Sequence, residues 1–239
     1  MSINDLLIEK EAAEFRARCQ LGDNVKIDLE SLLLKLNVVT IFLDMSIDFS
    51  GMSLKFDDKK FMLLNSAQNI GRQNFTIGHE LYHLFVQENF ETHKCQIELF
   101  QKKTGSEYLA DSFSANLLMP RAGLLEMIPE HELRRDAISL KTILFIENYF
   151  KVSRLALLYR LKGIALIGQD YFNSFTKDII KSAMEYGYGD ELYKRGNSGK
   201  VIGNYGSIAK ALFSGDKISE SHYYELMKAI DLKQSSQSQ

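Results

Sequence analysis

Two histidines and a glutamate stand at a spacing that can do chemistry: His79-Glu80-Leu81-Tyr82-His83, inside FTIGHELYHLFVQ. Phe75, Leu81, Leu84, Phe85 and Val86 surround them without a breaker, which predicts a helix as the carrier. On a helix, residues four apart share one face, so both imidazoles can reach a single ion. Glu80 is offset by about 100°, which sets its carboxylate beside that ion, where it can take a proton from a bound water. A zinc ion held there lowers the pKa of its water towards about 7, so hydrolysis becomes accessible at neutral pH. The same five residues could also make a buried helix with two hydrogen-bonded histidines and no ion.

A catalytic zinc needs a third protein ligand and an open fourth position. The candidate lies downstream in EYLADSFSANLLMP, residues 107–120. Leu109, Ala110, Phe113, Leu117 and Leu118 suit a buried helix face, and Gly105-Ser106 supply a start. Glu107 and Asp111, again four apart, can share the face that points at the metal. Buried carboxylates need a partner. Glu107 is therefore assigned as the third ligand, and Asp111 as acceptor of a hydrogen bond from the far nitrogen of a ligand histidine. Alone, Glu107 would read as a solvated glutamate at a helix start; beside the upstream motif it reads as a ligand.

Elements must position these groups, and the pattern around them predicts an α+β arrangement. Residues 3–19 form an amphipathic opening helix, and Asp28 caps a second helix through Leu36. Val38–Leu43, Met52–Phe56 and Lys60–Leu64 read as strands, with an acidic turn at Asp57-Asp58. Their connections are too short for helical crossovers, so a small, mainly antiparallel sheet is expected. From Arg72 onward the pattern is mostly helical, and Pro120 and Pro129 mark places where one helix stops and another begins. The division expected is 1–120 around the motif, 121–168 as a helical segment packed on it, and 170–239 as a helical extension. The terminal QSSQSQ reads as disordered.

Composition excludes several classes. Among 239 residues, 29 Lys+Arg face 31 Asp+Glu, and 45% are hydrophobic. That is too apolar and too weakly charged for general disorder, and a net charge of −2 lacks the basic excess of a dedicated nucleic-acid binder. No apolar run approaches the roughly 18 residues of a membrane span, and the charged start reads as neither signal peptide nor anchor. Cys19 and Cys95 stand in unrelated contexts and read as reduced thiols, which points to the cytoplasm.

The run from Arg72 to His83, followed by ExxAD-x-F-x-A-x-LLMP, resembles the ImmA/IrrE family of metallopeptidases. The resemblance reaches back to Asp28-Leu29-Glu30 and forward through Val152–Leu161, covering roughly residues 25–168. It implies a zincin-like fold followed by a helix-turn-helix-like segment, with zinc on His79, His83 and Glu107 and Glu80 as general base. It also implies a substrate class, a cytoplasmic helix-turn-helix repressor whose cleavage relieves repression. Tyr82 is a departure, being bulky where many members of the family carry a small residue. The tail after residue 170 matches no family element.

Other features carry less. His93-Lys94-Cys95 reads as a loop, although His93, His131 and Tyr108 are candidates for stabilising the developing charge of acyl transfer. Ile138–Ala165 reads as helix, turn at Lys151-Val152-Ser153, helix. Its second helix spends Leu155, Ala156, Leu157, Leu158 and Leu161 on burial, leaving Arg154 and Arg160 as the exposed candidates for DNA contact. Ser207–Leu232 shows an ordinary helical core pattern. The expectation is a one-zinc endopeptidase, or another divalent metal in the same site, with a protein substrate that pairs as an extended strand. The alternative is a metal-dependent regulator that binds a repressor or DNA without cutting.

Overall fold

The computed structural model describes residues 3–88, 94–96 and 105–231. In chain order the elements are α1 (Ile3–Arg18), α2 (Leu29–Lys35), β1 (Val38–Leu43), β2 (Phe49–Phe56), β3 (Lys59–Asn65) and α3 (Ile70–Phe85). Then come β4 (Lys94–Gln96), α4 (Ser106–Leu118), α5 (Arg121–Met127), α6 (Leu140–Phe150) and α7 (Arg154–Gly163). The chain closes with α8 (Gln169–Ser174), α9 (Ile179–Glu185), β5 (Val201–Ile202), α10 (Tyr205–Ser214) and α11 (Glu220–Asp231). This is the expected α+β arrangement, and local chemistry explains its edges. Asp28 caps α2 by accepting from the Ser31 amide at 3.3 Å and its hydroxyl at 2.7 Å. Asp57 adopts the left-handed conformation, φ 50°, at the turn between β2 and β3, where short polar side chains are favoured.

The strands lie in the order β4-β2-β3-β1-β5. Three of the four pairings are antiparallel, and β1 pairs with β3 in parallel. The expected mainly antiparallel sheet is present, yet one parallel pair forms without a helical crossover. Here the β2 hairpin arm makes the crossing: β2 runs along the far side of β3, so the chain returns beside β1 in the same direction. Asn65 fixes that connection, donating to the carbonyls of Ser46 at 2.9 Å and Phe49 at 2.7 Å and accepting from the Met45 amide at 3.0 Å.

The fifth strand comes from the stretch expected as a helical extension, 170–239. Val201 and Ile202 pair with Ile41 and Thr40, and a two-residue strand is too short to show a period of two. Gly203, at φ +102°, sits where a Cβ would lie 3.3 Å from the Val39 Cα, so this close, left-handed passage favours glycine.

One apolar core lies under α1 and α2, between the sheet and α3–α4, built on Phe15, Leu33, Leu64, Leu81 and Phe113. A second runs through α4–α8 and includes Met119, Leu124, Ile143, Val152 and Leu157. The helix-turn-helix-like pair α6–α7 belongs to this core, with Lys151 making its turn in the left-handed conformation. Both arginines expected to face solvent are buried. Arg154, 1% exposed, pairs with Glu147 through two hydrogen bonds, and Tyr193 donates to the same carboxylate at 2.5 Å. Arg160, 8% exposed, donates to the Met119 carbonyl and lies 3.7 Å from Glu9. Leu155, expected to be buried, is exposed instead. The reason is partner supply: Glu147 and Glu9 are brought in by α6 and α1, and buried cations follow their counter-charges. The expected core at Ser207–Leu232 is also thinner than its pattern implies. Ala209 is the buried residue of α10, and Phe213 stacks on Tyr223 of α11 at 5.0 Å; Leu232 lies outside the described residues.

Removing one side of the interior ion pair isolates a buried charge. Glu147→Ala is expected to lower unfolding free energy by about 3–5 kcal/mol, measured by guanidinium denaturation. The double variant Glu147→Leu with Arg154→Met should recover most of that loss.

Candidate metal centre

Helix α3 starts at Asn69, whose side chain accepts from the Arg72 amide at 2.9 Å, and carries His79, Glu80 and His83 into the interior. All three are at most 2% exposed. Helix α4 crosses close by. A Cβ on Gly78 would fall 2.4 Å from Ser114 Oγ, and that hydroxyl donates to the Phe75 carbonyl at 2.7 Å. A mid-helix glycine costs about 1 kcal/mol against alanine; here it permits the approach that delivers Glu107 to the histidines.

His79 Nε2 and His83 Nε2 lie 3.1 Å apart. Glu107 Oε2 is 3.4 Å from the former, and Oε1 is 3.2 Å from the latter. His79, His83 and Glu107 are the group that could hold a metal ion among the described residues. Each imidazole is held from behind: His79 Nδ1 is 2.7 Å from Asp111 Oδ1, and His83 Nδ1 is 2.5 Å from Gln87 Oε1. A carboxylate and an amide oxygen only accept, so the network assigns the proton to Nδ1 in both rings and leaves both Nε2 lone pairs facing each other. Two facing lone pairs and a carboxylate suit a cation. Tetrahedral zinc with bonds of 2.0–2.1 Å has donor–donor edges of roughly 3.3 Å, which matches this triangle.

Glu80 lies beside the triangle. Burial pushes its carboxyl above the usual range, against the pull of His79, the Ser53 hydroxyl and His83. Its Oε1 is buried with no hydrogen-bond partner among the described residues. Burial acts to raise Glu107 also, but the adjoining His79 and His83 rings outweigh it and hold this carboxyl well below the usual range. The side chain of Glu107 is partly exposed, so the triangle opens to solvent on its α4 side.

The chain matches the family model for the peptidase M78, IrrE N-terminal-like domain over residues 34–162, more than half its length. It belongs to that family. Among curated proteins, none matches the chain. Peptidases of the M78 family are metal-dependent, which together with the donor triangle supports a metallopeptidase. No helix among the described residues is long and apolar enough to cross a membrane.

The structure thus brings together His79, Glu80, His83, Glu107 and Asp111. It does not gather the candidates for charge stabilisation. The Tyr108 hydroxyl donates to Asp5 of α1 at 2.7 Å, and the His131 ring is 81% exposed beside Glu132. His93 lies outside the described residues, as does the side chain of Cys95. Two contributors were missed in the sequence. Gln87 continues the four-residue spacing of 79 and 83, a signal that was available. Ser53, on β2, had none, since only the sheet brings it to Glu80.

Asp111→Asn keeps the shape but loses the charge behind His79, and such changes cost 10–100-fold in metal affinity. Zinc competition with a chromophoric chelator is expected to show roughly that loss, and His83→Ala a complete loss of stoichiometric metal by elemental analysis.

Proposed function

We propose that the chain is a one-zinc endopeptidase that hydrolyses a peptide bond in a cytoplasmic helix-turn-helix repressor and so relieves repression. The observation that supports the chemistry best is the donor triangle of His79, His83 and Glu107 with the Glu80 carboxylate buried beside it. An ion bound by His79 Nε2, His83 Nε2 and Glu107 would acidify a water and polarise the scissile carbonyl. Glu80 would take a proton from the attacking water as the new C–O bond forms. It then gives the proton to the leaving amine nitrogen as the C–N bond breaks. The Ser53 hydroxyl favours the ionised Glu80 carboxylate against the effect of burial. Asp111 and Gln87 keep the imidazoles in the tautomer that presents Nε2.

Zinc suits a nitrogen-rich set with one carboxylate and no thiolate, and other divalent ions share these donors. Recognition would use the sheet. β2 carries Ser53, and β4 beside it is the outer strand, so an extended substrate segment can add to that edge. The repressor as substrate rests on the family resemblance, and the cytoplasmic setting on the cysteine usage. Direct DNA contact by α7 loses its two candidate residues, because Arg154 and Arg160 are buried.

Glu80→Gln is expected to keep its zinc and to lower cleavage of a sensitive repressor by roughly 10²–10⁴-fold. The assay is incubation of the zinc-loaded chain with purified helix-turn-helix repressors, read by mass spectrometry. Unchanged cleavage in the variant would remove Glu80 from the mechanism. A biological effect that survives the substitution would favour the non-cleaving regulator.

A further inference from the structure

A groove of about 530 Å³ lies between α1, the C-terminal end of α3 and the start of α4. Sites for small ligands span about 300–1,000 Å³, so it has room for a large side chain. On α1 it is lined by Asn4, Leu7, Ile8 and Glu11, whose three- and four-residue spacing puts them on one face. The groove adjoins the metal centre. Its wall residue Tyr82 meets the His83 ring at 5.5 Å, and its wall residue Gln87 stands 2.5 Å from His83 Nδ1.

Three side-chain groups on these walls are unengaged. Tyr82 is 6% exposed, yet its hydroxyl makes no hydrogen bond among the described residues and is not sealed from solvent. It therefore opens into the groove that it lines. Glu11 and Glu88 are exposed at the two rims, and neither carboxylate has a hydrogen bond or ion pair among the described residues. Burial, then Glu11 and Glu88, push the Tyr82 hydroxyl above its ordinary range, so both carboxylates act on the same phenol.

The rims can only accept hydrogen bonds, and Leu7, Ile8, Val86 and Leu109 make the surface between them apolar. Two unpaired carboxylates oppose an anion and attract a cation. Apolar walls favour a cation carried on a methylene stem. A guanidinium offers five donors in a fixed fork and is more weakly hydrated than an ammonium, so it suits acceptors on both sides. Free arginine would bring its own carboxylate into this acidic groove; an arginine within a polypeptide does not. We propose that the groove is a specificity pocket for an arginine side chain of the protein substrate, its guanidinium paired with Glu11 and Glu88. Calling the bound polypeptide a substrate rests on the peptidase reading; the pocket itself does not.

The test titrates the purified full chain by saturation-transfer NMR with two blocked pentapeptides, arginine or citrulline at the centre of four alanines. Citrulline keeps the shape of arginine without its charge. The arginine peptide is expected to bind saturably and about tenfold tighter, as charge-assisted hydrogen bonds require. The double variant Glu11→Gln with Glu88→Gln, both on the surface, should abolish that preference. Tyr82→Phe removes the hydroxyl alone and should weaken the arginine peptide about threefold. The proposal is overturned if the arginine peptide does not saturate, if citrulline binds as well, or if either variant binds the arginine peptide like wild type. Agmatine binding tenfold tighter than the arginine peptide would also overturn it, assigning the groove to a free amine. Hydrolysis is not the readout. A chain that prefers arginine but cleaves no repressor contradicts the peptidase reading alone, and a cleaving chain without the preference contradicts the pocket alone.

Discussion

Two neutral imidazoles that face each other with lone pairs 3.1 Å apart, inside an apolar core, repel unless a positive charge sits between them. The surrounding structure enforces this arrangement from several directions. Asp111 and Gln87 hold the protons on the outer nitrogens, Glu107 adds negative charge to the same point, and Glu80 is buried beside it. Each of these would be unfavourable alone in a low-dielectric interior. Together they describe a cation site, and the tight α3–α4 contact at Gly78 and Ser114 is the packing feature that makes it geometrically available.

The scaffold extends beyond the residues that match the M78 family. After residue 162 the chain returns to the start of α3. Gln73 donates to the Gly196 carbonyl at 3.0 Å and accepts from Asn197 at 3.0 Å, and the Ile70 amide donates to the Lys194 carbonyl at 2.9 Å. Just downstream, β5 closes the sheet against β1. On the other side, Tyr193 reaches the buried Glu147–Arg154 pair. The stretch around 193–202 is therefore tied both to the helix bearing the histidines and to the helix-turn-helix-like pair. Through Tyr193 and Glu147 it helps keep Arg154 inside.

What was legible in the sequence is what short-range periodicity encodes. The histidines and Glu80 follow from helical spacing, Glu107 and Asp111 from the same spacing one helix later, and β1 from its run of Val38–Leu43. Contacts that join distant segments were not legible. Ser53 meets Glu80 only through sheet–helix packing, and Arg154 and Arg160 find acids on other helices. The parallel β1–β3 pair depends on a hairpin folding back, and β5 is two residues long. Gln87 is different in kind: its spacing from His83 was visible, but an amide oxygen behind a ligand histidine carries no charge to draw attention.

Anomalous diffraction at the zinc edge, on crystals of protein purified without chelator, addresses the cation site most directly. One peak is predicted at about 2.0–2.2 Å from His79 Nε2, His83 Nε2 and a Glu107 oxygen. Absence of a peak there after zinc reconstitution, with the two imidazoles still facing each other, would contradict the account.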